Sequence, residues 1–101
     1  MPFSESYRDF VLDQLSGVLP GVWAKKMFGG VGIYAQGVFF ALIADDVLYL
    51  YTAEEERPAR EAEGARRFHH QYYEVPVEVL EDADELGEWA RRALAAKRGG
   101  D

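Results

Sequence analysis

The sequence has no cysteine, and that absence excludes a disulfide framework, a thiol nucleophile, redox sensing and every thiolate metal site. No apolar run approaches the roughly 18 residues that a membrane span requires. The opening MPFSESYRDF carries acids where a signal peptide would carry lysines ahead of an apolar segment, so no membrane partner and a cytoplasmic location are expected. Positive charge is scarce. With 11 bases against 18 acids the net charge is −7, which repels nucleic-acid backbones and anionic lipid surfaces. The imbalance is also local, because Glu74, Glu78, Glu81, Asp82, Asp84, Glu85 and Glu88 share a stretch without lysine or arginine. Such a stretch reads as a solvated face and a helix start, or as a surface for a basic partner. Internal repeats and long linkers are missing as well, so residues 1–101 read as one domain.

What is present is material for a core. Apolar residues make up 49% of the chain, with six Phe, six Tyr and two Trp, and a domain of this size buries roughly 65% of the surface its unfolded chain exposes. Tyr7, Phe10, Val11 and Leu15 have the spacing of one helical face over residues 4–17. Ser4 or Ser6 can cap that helix, Phe3 can staple its first turn, and Gly17 is a stop signal. From residue 22 to 52, short β-branched and aromatic runs predict four strands at 22–28, 32–35, 38–44 and 47–52. Gln36-Gly37 and Asp45-Asp46 tolerate positive φ and read as tight hairpin turns. Residues 54–63 predict a short surface helix with Pro58 in its first turn and Gly64 past its end, and residues 66–75 a fifth strand closed by Pro76. Leu86, Trp89, Ala90, Ala93 and Leu94 mark a last helix that starts at an Asp82–Glu85 capping pair. The expected class is α+β in two layers: an antiparallel meander of four to five strands, with an N-terminal, a short middle and a C-terminal helix on one face.

Little of the sequence looks like chemistry. The stretch KKMFGGVGIY holds three glycines, but a phosphate cradle needs a glycine loop that opens a helix, and this one opens a strand. Gly29 and Gly30 are better read as a sharp turn or bulge between strands, and Gly32 as a place where a ring or backbone packs closely. His69 and His70, as neighbours on a strand, would point to opposite faces and could not share a metal ion, so no metal site is expected. Asp9 and Asp13 share a helix face but have no evident means of separating their pKa values for acid–base work. Lys25 and Lys26, near Trp23 and Phe28, are the one basic and aromatic cluster suited to nucleic acid, and alternation splits the two lysines between faces.

KKMFGGVGIYAQGVFFALIADDVLYL, followed by YYEVPVEVLEDADELGEWARRALAAK, resembles the N-terminal domain of the TfoX/Sxy family over nearly the whole chain. The resemblance implies a two-layer α+β domain and a part in transcription regulation, as in competence regulators that act as coactivators with the cyclic-AMP receptor protein. Those regulators carry a second, helical domain, so a stand-alone single-domain member is expected here. LYLYTA at 48–53 departs from relatives that often have a lysine and an aspartate after the apolar run. The family brings no established catalytic residue. The expectation is therefore a small non-catalytic protein-interaction module, with no cofactor, acting as an adaptor or coregulator on the transcription machinery or a transcription factor. Contact is expected at Lys25, Lys26, Phe28, Gly29, Gly30, Tyr34, Tyr73 and Glu74, near the MFGG turn and the YYEVP strand end. Alternatives are a ligand-binding domain or enzyme with a pocket at the MFGG turn, and direct DNA binding. An exposed edge strand would also permit a homodimer.

Overall fold

A computed structural model describes residues 4–99, and the expected staple at Phe3 lies outside them. Helix α1 (Glu5–Ser16) begins at Ser4, whose hydroxyl accepts from the Tyr7 amide at 3.2 Å. Strands β1 (Trp23–Met27), β2 (Gly30–Ala35), β3 (Val38–Ala44) and β4 (Val47–Tyr51) form an antiparallel meander. A 3₁₀ turn (Glu54–Glu56) leads into α2 (Arg57–Ala62), which has Pro58 in its first turn and Gly64 past its end at φ +77°. Then come β5 (Arg67–Phe68), β6 (Tyr72–Glu74), α3 (Val77–Leu80) and α4 (Ala83–Arg98), the last capped by Asp82, whose carboxylate accepts from the Asp84 and Glu85 amides.

Among the described residues the sheet has six strands in the order β1-β2-β3-β4-β6-β5. The α+β class holds, with two corrections. The strand expected over 66–75 is a hairpin, with His69 and His70 in its turn rather than on a strand, and His69 at φ +59°. The short α3, begun after Pro76, was not foreseen; it buries Val79 and Leu80, and its Leu80 carbonyl accepts from the Gln14 side chain at 3.0 Å.

The three tight turns of the meander follow one rule. Phe28-Gly29, Gln36-Gly37 and Asp45-Asp46 each have both central residues at positive φ, the geometry whose twist matches the flanking strands. The first turn is displaced by one residue from the expected Gly29-Gly30. Gly30 already pairs with Met27, and a Cβ there would run into the Ile43 carbonyl oxygen.

α4 packs on β3 and β4, and α1 and α3 pack on α4. Between the layers Val11 and Leu15, Ile33, Phe40, Ile43 and Leu48, and Leu86 and Ala90 are fully buried. Phe10 was expected with them and is 42% exposed. At 100° per residue it lies well off the centre of the Val11–Leu15 stripe.

Candidate functional site

Cross-strand partners share a face of the sheet and chain neighbours alternate. Leu50 and its partner Tyr73 line a crevice with Trp89 and Ala93 of α4. Ala24, Lys25, Lys26 and Val31 line a groove with Arg8, Asp9 and Leu12 of α1. That face is the covered one. By alternation Trp23, Lys25, Met27, Tyr34, Leu42, Tyr49, Tyr51 and Tyr72 belong to the other face, which carries no helix layer among the described residues. Phe39 joins them because β3 has an extra residue opposite the Ile33/Tyr34 step, so Tyr34 pairs with Phe39 and Ile33 with Ala41.

Across this open face runs a row of rings. Trp23 stacks on Tyr34 at 4.3 Å, Tyr34 meets Phe39 at 5.3 Å, Phe39 meets Tyr72 at 5.7 Å, and Tyr72 meets Tyr51 edge-on at 5.5 Å. Each such pair contributes about 1 kcal/mol beyond its buried area. Lys97, in the last turn of α4, closes the far end: its ammonium donates to the Tyr72 hydroxyl at 3.0 Å and lies 4.7 Å from the Tyr51 ring centre. This is a cation–π clasp between the helix layer and the open face.

Beside the row lies a cleft of about 100 Å³. Leu42, Phe39 and Tyr72 line it, together with Met27, Phe28 and Gly30 from the first hairpin and Phe68 and His69 from the β5–β6 hairpin. Gly32 allows this packing, since a Cβ on it would approach the Met27 sulfur at 2.8 Å and the Phe39 ring at 3.0 Å. Phe28 is the most conspicuous member: the residue is 90% exposed and its backbone is held at φ +52°. A bulky aromatic residue is rare in that region, which glycine and asparagine occupy more cheaply.

The residues expected to make contact separate into groups. Phe28 and Gly30 line the cleft, Gly29 completes the turn beside it, and Tyr34 stands in the adjoining row. Lys25 and Lys26 are both exposed on β1 and both line the α1 groove beside Asp9, while strand alternation directs the Lys25 side chain to the open side and that of Lys26 to the helix side. Tyr73 does not converge with them. It is buried on the helix side, its hydroxyl donates to Glu61 at 2.7 Å, and burial, then the Glu61 carboxylate, raises its pKa above the usual tyrosine value. Glu74 is paired with Tyr49 near the far edge of the sheet and accepts from the Arg66 amide at 3.2 Å. Reading the residues alone missed Met27, Phe39, Leu42 and Phe68 as cleft members and Lys97 as the clasp. The signal for Phe39 and Leu42 was hidden, because they are an odd number of residues apart and only the bulge puts them on one face.

Of the cleft's titratable side chains, His69 and the buried Tyr72 are the ones it contains, and His69 packs edge-on against Phe68 at 4.5 Å. No group of three or more His, Asp or Glu able to hold a metal ion occurs among the described residues, and none of their helices is long and apolar enough to cross a membrane. The arrangement offers apolar area, exposed rings and an open strand edge. In comparisons with known proteins, no curated protein matches the chain. The model of one family, the TfoX N-terminal domain, matches residues 13–97.

Proposed function

The chain belongs to the TfoX N-terminal domain family, and from that premise we propose that it is a non-catalytic protein-interaction module, an adaptor or coregulator in transcription regulation working in the cytoplasm. The observation that carries this reading is Phe28. A phenylalanine at positive φ that is 90% exposed costs folding stability, and it stands on the rim of an apolar cleft. Exposed aromatic residues beside a pocket are the usual anchors of protein interfaces. The apolar lining and the lack of converging acid–base groups in the cleft favour docking over turnover. The contact set is Phe28, Gly29, Gly30 and Tyr34, with Lys25 beside them; Tyr73 and Glu74 leave it because they are bonded to Glu61 and to the Arg66 amide.

The test is affinity capture of the tagged chain from nuclease-treated host lysate, beside the variant Phe28→Asn. RNA polymerase or a transcription factor retained by the wild type and lost by the variant is the expected result. Equal retention by both contradicts the role given to Phe28. A second reading, a small apolar ligand in the same cleft, is favoured by its ring-lined walls. It predicts that a single-ring aromatic compound shifts the NMR signals of Leu42 and Phe68.

A further inference from the structure

We propose that the β1 edge binds an extended acidic segment of a partner protein, which adds to the sheet as a seventh strand. The proposal rests on the protein-interaction reading above and specifies how the partner is held. Among the described residues β1 ends the strand order, and one side of its backbone has no neighbouring strand there. In a two-residue hairpin the flanking pair, here Met27 and Gly30, exchanges both backbone hydrogen bonds. Every second pair repeats the exchange, Lys25 with Gly32 and Trp23 with Tyr34. Ala24, between them, therefore turns its N–H and C=O toward the open side. A strand added there meets these backbone groups in register.

Side chains set the chemistry of that strand. Trp23 is 50% exposed and held flat against Tyr34, so it presents a fixed ring to one end of the segment. Both lysines are exposed, and alternation directs Lys25 to the open face and Lys26 to the helix face, where Asp9 and Arg8 line the same groove. Two adjacent acids in an incoming strand project to opposite faces, and so meet one lysine each. The residues on either side then lie opposite Ala24 and Met27, and the next one lies opposite Trp23. A second copy of this chain paired about Lys25 or Lys26 brings a lysine against its own copy, and like charges across a strand pair are destabilising. At −7 the chain repels an acidic ligand at long range, so recognition is short-ranged and depends on these cross-strand pairs.

The experiment titrates the full chain with a synthetic peptide whose core is two adjacent glutamates flanked by valines, and with the same peptide carrying lysines instead, while amide exchange is followed residue by residue. The acidic peptide is expected to slow exchange at Ala24 and to bind roughly tenfold more tightly than the lysine peptide. Lys25→Glu is expected to reduce that preference. Ala24→Pro removes an outward N–H without touching a bond to β2, and is expected to abolish peptide binding while the fold persists. Equal binding of the two peptides, protection elsewhere than β1, unchanged binding by Ala24→Pro, or a dimer of the chain built on β1 overturns the proposal. The broader reading fails separately, if the wild-type chain and Phe28→Asn capture the same proteins.

Discussion

Gly30 and Gly32 lie on one strand and one face, yet alanine is expected to act differently at each. At Gly30 the new methyl meets the Ile43 carbonyl oxygen, which belongs to a paired backbone and cannot step aside. A loss of about 2 kcal/mol is expected from Gly30→Ala in urea denaturation. Gly32→Ala meets the end of the flexible Met27 side chain and should lose less; the reverse order would contradict the packing described. Ionisation follows the same logic. Burial raises the pKa of Tyr7, Tyr49 and Tyr73, the last further through Glu61. A phenol whose folded pKa exceeds its unfolded value favours the folded state fully below the unfolded pKa, and that contribution is lost as pH rises through the folded one. The urea midpoint is therefore expected to fall above about pH 10. Tyr73→Phe should be less stable at neutral pH and show a shallower alkaline decline.

The last helix joins the two sides of the molecule through its ends. Asp82 accepts from two first-turn amides, and Asp82→Ala is expected to lose about 1 kcal/mol. At the other end Lys97→Met removes both the bond to Tyr72 and the cation over Tyr51, and should speed amide exchange in the last turn of α4 while β3 and β4 keep their protection. Elements with local signals were legible in the sequence. The turns at Gln36-Gly37 and Asp45-Asp46, the Pro58 helix start and the Ser4 and Asp82 caps each depend on residues within one turn of the chain. The β5–β6 hairpin was not, since His69-His70-Gln71 has none of the usual turn residues, and α3 is one turn long. Half of the site was legible for the same reason. Phe28 and the glycines announce themselves, but their meeting with Phe68, His69 and Tyr72 depends on how a distant hairpin folds toward the open face. Tyr73 was misplaced by parity alone: one residue along a strand exchanges one face for the other.

At the scale of the molecule, one face of the sheet packs under the helices, and the other carries a row of rings whose Tyr51 and Tyr72 end is buried, a small cleft and, among the described residues, a bare strand edge. The chain belongs to the TfoX N-terminal domain family, and the open face is where the proposed partner contact lies. The central claim is that Phe28 is kept for contact at a cost to stability. Asparagine suits φ +52° better than phenylalanine, so Phe28→Asn should hold the free energy of urea unfolding or raise it by a few tenths of a kcal/mol, while partner capture falls. The most direct measurement is the paired one, denaturation midpoint and partner retention on wild type and Phe28→Asn. Stability kept and capture lost is the predicted result. Capture kept, or stability and capture lost together, would contradict it.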